Sequence, residues 1–95
     1  MNHNISDSAR LGKEIKLGLN IVIMDEVVIG DNCQIGNNVV IYPGTFIGDN
    51  VRIADNTVIG KKPLSSPRSI FKTPEELEPA IIGANTQIGA NVIIY

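Results

Sequence analysis

The sequence predicts an all-β protein, a parallel β-helix of about four triangular coils that one long loop interrupts. Three observations support this: an Ile or Leu at every sixth residue, a small residue directly after most of them, and frequent Asn three residues after them. A helix repeats every 3.6 residues and a strand every two residues. A period of six therefore fits a short strand followed by a corner, and three such units close one triangular coil.

The repeat position holds only Ile or Leu, and side-chain alternation turns it toward the inside of the coil. The residue two before it also points inward and is usually small or β-branched, which places Cys33, Thr45 and Thr57 in the core. Asn and Gly supply the corners because they tolerate left-handed backbone angles. The repeat positions are Ile5, Leu11, Leu17, Ile23, Ile29, Ile35, Ile41, Ile47, Ile53, Ile59, Ile82, Ile88 and Ile94.

A segment without hexads, residues 61–81, breaks the phase and contains four of the five prolines. Loops of this length in compact folds are commonly functional. Two readings stay open: a solvated excursion, or a flap that packs on a neighbouring subunit or covers a substrate. The sequence thus predicts one β-helix domain, residues 1–95, with coils at 5–60 and 82–95 and a protruding loop at 61–81.

Residues Asn91–Tyr95 closely repeat residues Asn38–Tyr42. The given sequence then ends on these apolar residues. Repeat proteins normally end in a polar capping element. We therefore expect the chain to be truncated at its C-terminus and to be an N-terminal part of a longer β-helix.

The Ile-Gly-x-Asn hexads resemble those of the hexapeptide-repeat acyltransferases, the left-handed β-helix family. The resemblance implies a left-handed coil, which departs from the usual right-handed crossover. The interruption is similar to that of bacterial amino-sugar N-acyltransferases, where Lys62-Pro63 would leave the coil and Leu77-Glu78-Pro79 would rejoin it. This resemblance implies acyl transfer from acetyl-CoA or another acyl-CoA to an amino sugar or nucleotide sugar. It also implies that the protein is a homotrimer.

Acyl transfer to an amine needs a base, usually histidine. The sequence has one histidine, His3, in a polar N-terminal tail, where we expect it to be solvated. No catalytic residue is therefore assigned. If the family mechanism applies, we expect the base beyond Tyr95, and we expect this chain alone to be inactive or nearly so.

Four residues near the loop are candidates for binding substrate or cofactor. Lys61, Lys62 and Arg68 could meet phosphates of coenzyme A or of a nucleotide sugar, although lysines at the base of a loop are more often simply solvated. Tyr42 replaces the small residue expected after an inward Ile. It either lines a pocket or closes a wider corner together with Pro43.

Several classes of function are disfavoured by composition. One His and one Cys cannot supply a zinc site, and a net charge of −2 without a basic cluster gives no nucleic-acid footprint. No apolar run could span a membrane, and the single cysteine fits a cytoplasmic location. The alternative to an enzyme is a non-catalytic β-helix trimerisation module or the tail domain of a nucleotidyltransferase.

Outward-facing apolar residues predict an interface. They lie one residue before an inward Ile, and we expect them on different sides of the prism, with at least one face carrying a contiguous apolar patch. Such patches usually mark contact surfaces, and three-fold packing is what the resemblance implies. These residues are Val22, Val28, Val40, Val58 and Ile93.

Overall fold

The computed structural model describes residues 3–62 and 78–95. Within these residues the secondary structure consists of thirteen strands of two residues each. They are β1 (Asn4–Ile5), β2 (Arg10–Leu11), β3 (Lys16–Leu17), β4 (Val22–Ile23), β5 (Val28–Ile29), β6 (Gln34–Ile35), β7 (Val40–Ile41), β8 (Phe46–Ile47), β9 (Arg52–Ile53), β10 (Val58–Ile59), β11 (Ile81–Ile82), β12 (Gln87–Ile88) and β13 (Ile93–Ile94).

The strands form three parallel sheets that wrap around one axis. The first sheet has the order β1-β4-β7-β10-β13, the second β2-β5-β8-β11, and the third β3-β6-β9-β12. Like residues stack in register, so that Ile23 pairs with Ile41 and Ile41 with Ile59. The prediction of an all-β parallel solenoid is confirmed, and the architecture is consistent with a left-handed β-helix of hexapeptide repeats.

Three corners connect the sheets, and each is named after the sheet that it follows. The first corner leads from the first sheet to the second, the second corner from the second sheet to the third, and the third corner back to the first sheet. The outer surfaces of the three sheets are the first, second and third faces of the prism. Coil after coil, equivalent residues stack along each face and each corner.

The core is a single aliphatic column inside the three sheets. The repeat-position isoleucines from Ile23 to Ile59 are buried, and so are the residues two before them. Cys33 belongs to this column, and its thiol lies 3.3 Å from the carbonyl oxygen of Gly48. Thr45 and Thr57 are also fully buried. The predicted inward positions are therefore confirmed, and Cys33 is a core residue.

Asparagines make most of the corners, as predicted. In the described part of the chain, nine residues other than glycine have φ between 57° and 65°, and seven of them are asparagines. The other two are Glu14 and Glu26. A left-handed conformation is costly for a side chain that lacks the local hydrogen bonding of Asn, so these two glutamates are local departures from the best corner residue.

Replacing Glu14 with Asn is expected to stabilise the protein by about 0.5–1 kcal/mol. Glu14 has φ 58°, and the residues that follow it in the second corner, Asn32, Asn50 and Asn85, adopt the same conformation. Thermal or urea unfolding measures the gain. Glu14→Gln removes the charge but keeps the long side chain, so it is the control; equal stability of the two variants would contradict the backbone explanation.

Side-chain oxygens tie consecutive coils together at the second and third corners. In the second corner, Asp31 Oδ1 accepts a hydrogen bond from the Lys13 amide at 2.8 Å, and Asp49 Oδ1 accepts one from the Asp31 amide at 2.7 Å. In the third corner, Asn37 Oδ1 and Asp55 Oδ1 accept equivalent bonds. These oxygens lie where a Cβ on the glycine of the preceding coil would be, as at Gly12 and Gly30. Glycine at positions 12, 18, 30 and 36 is therefore a steric requirement.

The outward residues separate by face. The prediction that the five apolar residues lie on different sides is wrong for four of them, because residues one coil apart share a face. Val22, Val40, Val58 and Ile93 form one ladder on the first face. Val28 lies on the second face with Phe46 and Ile81. The predicted contiguous apolar patch exists, whereas the third face carries a polar ladder of Lys16, Gln34, Arg52 and Gln87.

Candidate functional site

The first corner is the irregular corner of the coil. Its residues directly after the inward Ile are Ser6, Met24, Tyr42, Gly60 and Tyr95, whereas the other two corners have Gly or Ala there. Gly12 and Gly30 face Asp31 and Asp49, nineteen residues later. The same spacing pairs Met24 with Pro43 and Tyr42 with Lys61, and neither Pro nor Lys has a short side-chain oxygen that would exclude a Cβ. At Ser6, the hydroxyl instead hydrogen-bonds to Asp25 Oδ1.

The insertion leaves and re-enters the coil at this corner, and both ends are fixed to the coil. On departure, Gly60 adopts φ 80° and the amides of Gly60 and Lys61 both donate to the carbonyl of Ile94, at 2.7 and 3.1 Å. On return, Ala80 accepts a bond from the Phe46 amide at 3.0 Å. The next strand, β11, begins at Ile81.

Two glycines allow this departure and return. A Cβ on Gly44 would lie 3.0 Å from Pro79 Cγ, and a Cβ on Gly60 would collide with the hydroxyl of Thr45. That hydroxyl donates to the carbonyl of Tyr42 at 2.8 Å. The base of the insertion is therefore a packed structure.

Three of the four predicted binding residues lie at the first corner. Tyr42 and Gly60 are equivalent residues of consecutive coils, and Tyr42 Cβ lies 3.5 Å from the position of a Cβ on Gly60. Lys61 follows directly, and Tyr42, Lys61 and Lys62 are all partly buried. Arg68 lies outside the described residues. The structure thus brings the aromatic ring and the two lysines to one corner.

His3 does not lie in a solvated tail, and that expectation is wrong. It occupies the inward position below Ile21, whose amide donates to His3 Nδ1 at 3.3 Å. Its Nε2 is buried without a hydrogen-bond partner. Residue type hid this, because His3 stands two residues before Ile5, at an inward position that elsewhere holds small or β-branched residues. His3 therefore closes one end of the core column.

The cavities do not all coincide with the first corner. One of them, an open groove of about 740 Å³, runs along the third face and is lined by residues such as Gln34, Gly36 and Arg52. A cavity of about 470 Å³ touches the first corner at Met24, Asp25 and Pro43. We assign the candidate site to the first corner, because there the insertion is anchored beside partly buried lysines.

Metal-ligand clusters and membrane-spanning helices were both sought among the described residues. Among residues 3–62 and 78–95, no group of three or more His, Cys, Asp or Glu side chains could hold a metal ion. In the same part of the chain, no helix is long and apolar enough to cross a membrane.

Fold and corner geometry define a β-solenoid built from hexapeptide repeats with one anchored insertion. The family model for the bacterial transferase hexapeptide (six repeats) matches residues 26–61. The model for the hexapeptide repeat of succinyl-transferase matches residues 79–94. The two matches flank the insertion and support the hexapeptide-repeat family for this chain. No curated protein and no solved structure shows significant similarity to it.

Sequence reasoning missed the stacking partners that shape the first corner. It gave Tyr42 a possible role in a pocket but gave no role at this corner to Met24, Thr45 or the pair Ser6 and Asp25. These stacking partners could have been found from the sequence. In the uninterrupted coils, each small residue after an Ile faces the side chain nineteen positions later. Pairing Gly12 with Asp31 and Met24 with Pro43 separates regular corners from the irregular one.

Proposed function

We propose that this chain forms part of an acyltransferase that moves an acyl group from acetyl-CoA or another acyl-CoA to the amine of an amino sugar or nucleotide sugar. The observation that carries the proposal is the anchored insertion at the first corner, set between two segments that match transferase hexapeptide models. In the reaction a bond forms between the amine nitrogen and the acyl carbon. The thioester carbon–sulfur bond breaks, the thiol leaves, and the amine loses a proton.

Within this proposal the first corner binds the phosphates of the donor or of the nucleotide sugar. Lys61 and Lys62 supply positive charge at the base of the insertion, and lysine is a common ligand of phosphate. Arg68 belongs to the same proposed set. The ring of Tyr42 lies one coil below and gives the bound molecule an apolar surface. The cytoplasmic location predicted from the single cysteine is part of the same proposal.

Among the described residues, no histidine lies at this corner to take the amine proton. The one histidine, His3, fills the end of the core column and accepts a bond from the Ile21 amide. We propose that the base does not lie within residues 1–95. The chain of residues 1–95 is then expected to bind coenzyme A without catalysing acyl transfer at a substantial rate.

Calorimetric titration with coenzyme A at low salt tests the binding step. Replacing both Lys61 and Lys62 with Ala is expected to weaken binding about tenfold or more, because charge-assisted hydrogen bonds are worth about 1.5–3 kcal/mol each. The matched control, Lys13→Ala with Lys16→Ala, removes two lysines from other parts of the coil and is expected to change affinity less than about twofold. Equal losses in the two double variants would contradict a site at the first corner.

A thioester-release assay with amino-sugar acceptors tests the missing base. Turnover close to background supports the proposal. Robust turnover that survives His3→Ala would mean that a base exists within residues 1–95 and that the assignment above is wrong. Turnover that disappears with His3→Ala would also overturn it, because His3 would then be the base.

A non-catalytic trimerisation module is the second candidate function, and the tail domain of a nucleotidyltransferase is a form of it. The two outward apolar ladders favour it, because they suit association and contribute no chemistry. Both candidates share a proposed homotrimer. Coenzyme A binding that depends on Lys61 and Lys62 favours the enzyme, whereas self-association without such binding favours the module.

A further inference from the structure

The third face carries a ladder of polar side chains that runs along the axis of the coil. In coil order the ladder has a cation, an amide, a second cation and a second amide. All of these side chains are exposed, and in the described part of the chain none of them has a hydrogen-bond or ion-pair partner. The ladder therefore presents donors and acceptors that the fold does not use. Its residues are Lys16, Gln34, Arg52 and Gln87.

The open groove of about 740 Å³ lies between this ladder and the third corner. Small residues form the wall on the side of the corner: Gly18, Gly36, Ala54 and Gly89. Stacking requires the glycines, since a Cβ on Gly18 or Gly36 would collide with a side-chain oxygen of the next coil. The same lack of side chains leaves the backbone of this wall open to close approach by a ligand.

Charge distinguishes the groove from the rest of a chain whose net charge is −2. Its charged lining residues are Lys16 and Arg52, and no described Asp or Glu lines it. Glu14 lines a separate cavity of about 570 Å³ on the other side of the ladder. Carboxylates of the neighbouring corners bond to amides of the preceding coil; they belong to Asp31, Asp49 and Asp55. A groove lined by charges of one sign favours a ligand of the opposite sign, here an anion.

The spacing of the two cations fits one kind of anionic chain. Lys16 and Arg52 stand two coils apart, about 9.6 Å at about 4.8 Å per coil. A polyproline II helix has about three residues per turn and a rise of about 3.1 Å, so that residues three apart lie on one side at about 9.3 Å. Its backbone makes no internal hydrogen bonds. The side-chain amide of Gln34, between the cations, can donate to or accept from that backbone.

A nucleic acid fits the third face less well. Among the described residues, no aromatic side chain lines either of the two cavities beside the ladder, so bases would have no ring to stack on. Binding to a nucleic acid also depends on many phosphate contacts, whereas the groove has two cations. Two acidic side chains and one stretch of peptide backbone match what the groove supplies.

We propose that the third face binds an acidic segment of a partner protein, held in the polyproline II conformation along the axis of the coil. Acidic side chains three residues apart bind Lys16 and Arg52, as acidic motifs are bound by basic clusters in other recognition domains. The peptide backbone between them hydrogen-bonds to Gln34 and lies against the glycine wall. This surface is separate from the candidate site at the first corner, and it depends neither on acyl transfer nor on the oligomeric state.

Amide NMR of the isotope-labelled chain at low salt tests the surface, because it detects weak binding and locates it. The probe is a synthetic proline-rich peptide with two Glu residues three apart. It is expected to shift the amide signals of Gly18, Gly36 and Gly89, which line the groove. Peptides with Gln in place of both Glu, or with the two Glu only two residues apart, are expected to bind about fivefold more weakly or worse. Equal affinity of the three peptides would overturn the proposal.

Paired variants test whether the two cations form the site. Lys16→Gln with Arg52→Gln is expected to weaken binding about tenfold, because both exposed ion pairs are lost. The matched control, Arg10→Gln with Lys13→Gln, also removes one Arg and one Lys from exposed positions. It is expected to change the affinity less than about twofold. Equal losses in the two double variants would show general attraction of an anion and would overturn the site.

Gln34→Glu supplies a readout that keeps both cations. A carboxylate between Lys16 and Arg52 competes for them and repels the peptide, so binding is expected to weaken about tenfold. Gln87→Glu, the same change one coil beyond Arg52, is expected to cost clearly less, and urea unfolding checks that both variants are folded. Binding that survives Gln34→Glu unchanged would overturn the proposal. An oligonucleotide or an acidic polysaccharide that binds at these residues more tightly than the peptide would overturn the assignment of the partner.

Discussion

Replacing Ile35 with Ala is expected to lower the free energy of unfolding by about 2–5 kcal/mol, the range for truncating a buried aliphatic side chain. Ile35 is 3% exposed and lies in the column between Leu17 and Ile53 of the adjacent coils. The column is only one or two side chains wide, so neighbouring residues cannot collapse far into the cavity. Urea unfolding at a fixed protein concentration measures the loss.

Ile5→Ala is the matched control, because Ile5 occupies the same repeat position but is 36% exposed. It is expected to cost clearly less than Ile35→Ala. Equal losses would show that stability does not follow burial along the column, and a loss below about 1 kcal/mol at Ile35 would contradict its place in a tightly packed core.

The coil was predictable because one period fixes several levels of structure at once. The hexad places Ile23, Ile41 and Ile59 on one face of the coil, and the structure stacks them in register. The asparagines that tolerate left-handed angles lie at the corners. Local backbone preference and the inward pattern agree at nearly every hexad, which is the condition for a single folded structure.

The position of His3 was not predictable from residue type, because polarity suggested solvent while the phase of the repeat placed it inward. In this case the phase prevailed. The split between apolar and polar faces could have been read from the sequence by comparing residues one coil apart, such as Val22 with Val40. The substrate and the catalytic base cannot be predicted by comparing residues one coil apart. The hexads determine only the coil, whereas the chemistry depends on a few residues outside the repeat pattern.

Replacing Gly30 with Ala is expected to destabilise the protein by about 1–3 kcal/mol through overpacking, with about 0.5–1.5 kcal/mol more from a lost hydrogen bond. A Cβ at residue 30 would collide with Asp49 Oδ1 and would lie 2.8 Å from the carbonyl carbon of Gly48 and 2.9 Å from the Asp49 amide nitrogen. The carboxylate of Asp49 can move only by giving up its bond to the Asp31 amide. The backbone of residues 48 and 49 cannot move without disturbing the sheet.

Gly83→Ala is the control, because Gly83 has the equivalent position in the same corner and a Cβ there would meet no atom within 4 Å. Its effect is expected to stay within about 0.5 kcal/mol. Combining Gly30→Ala with Asp49→Ala separates the two contributions: the side-chain collision disappears while the contact with the backbone of residues 48 and 49 remains. The double variant is therefore expected to lose less stability than the two single changes added together. If Gly30→Ala costs no more than Gly83→Ala, the glycine positions are not steric requirements, and the contrast between the first corner and the other two loses its physical basis.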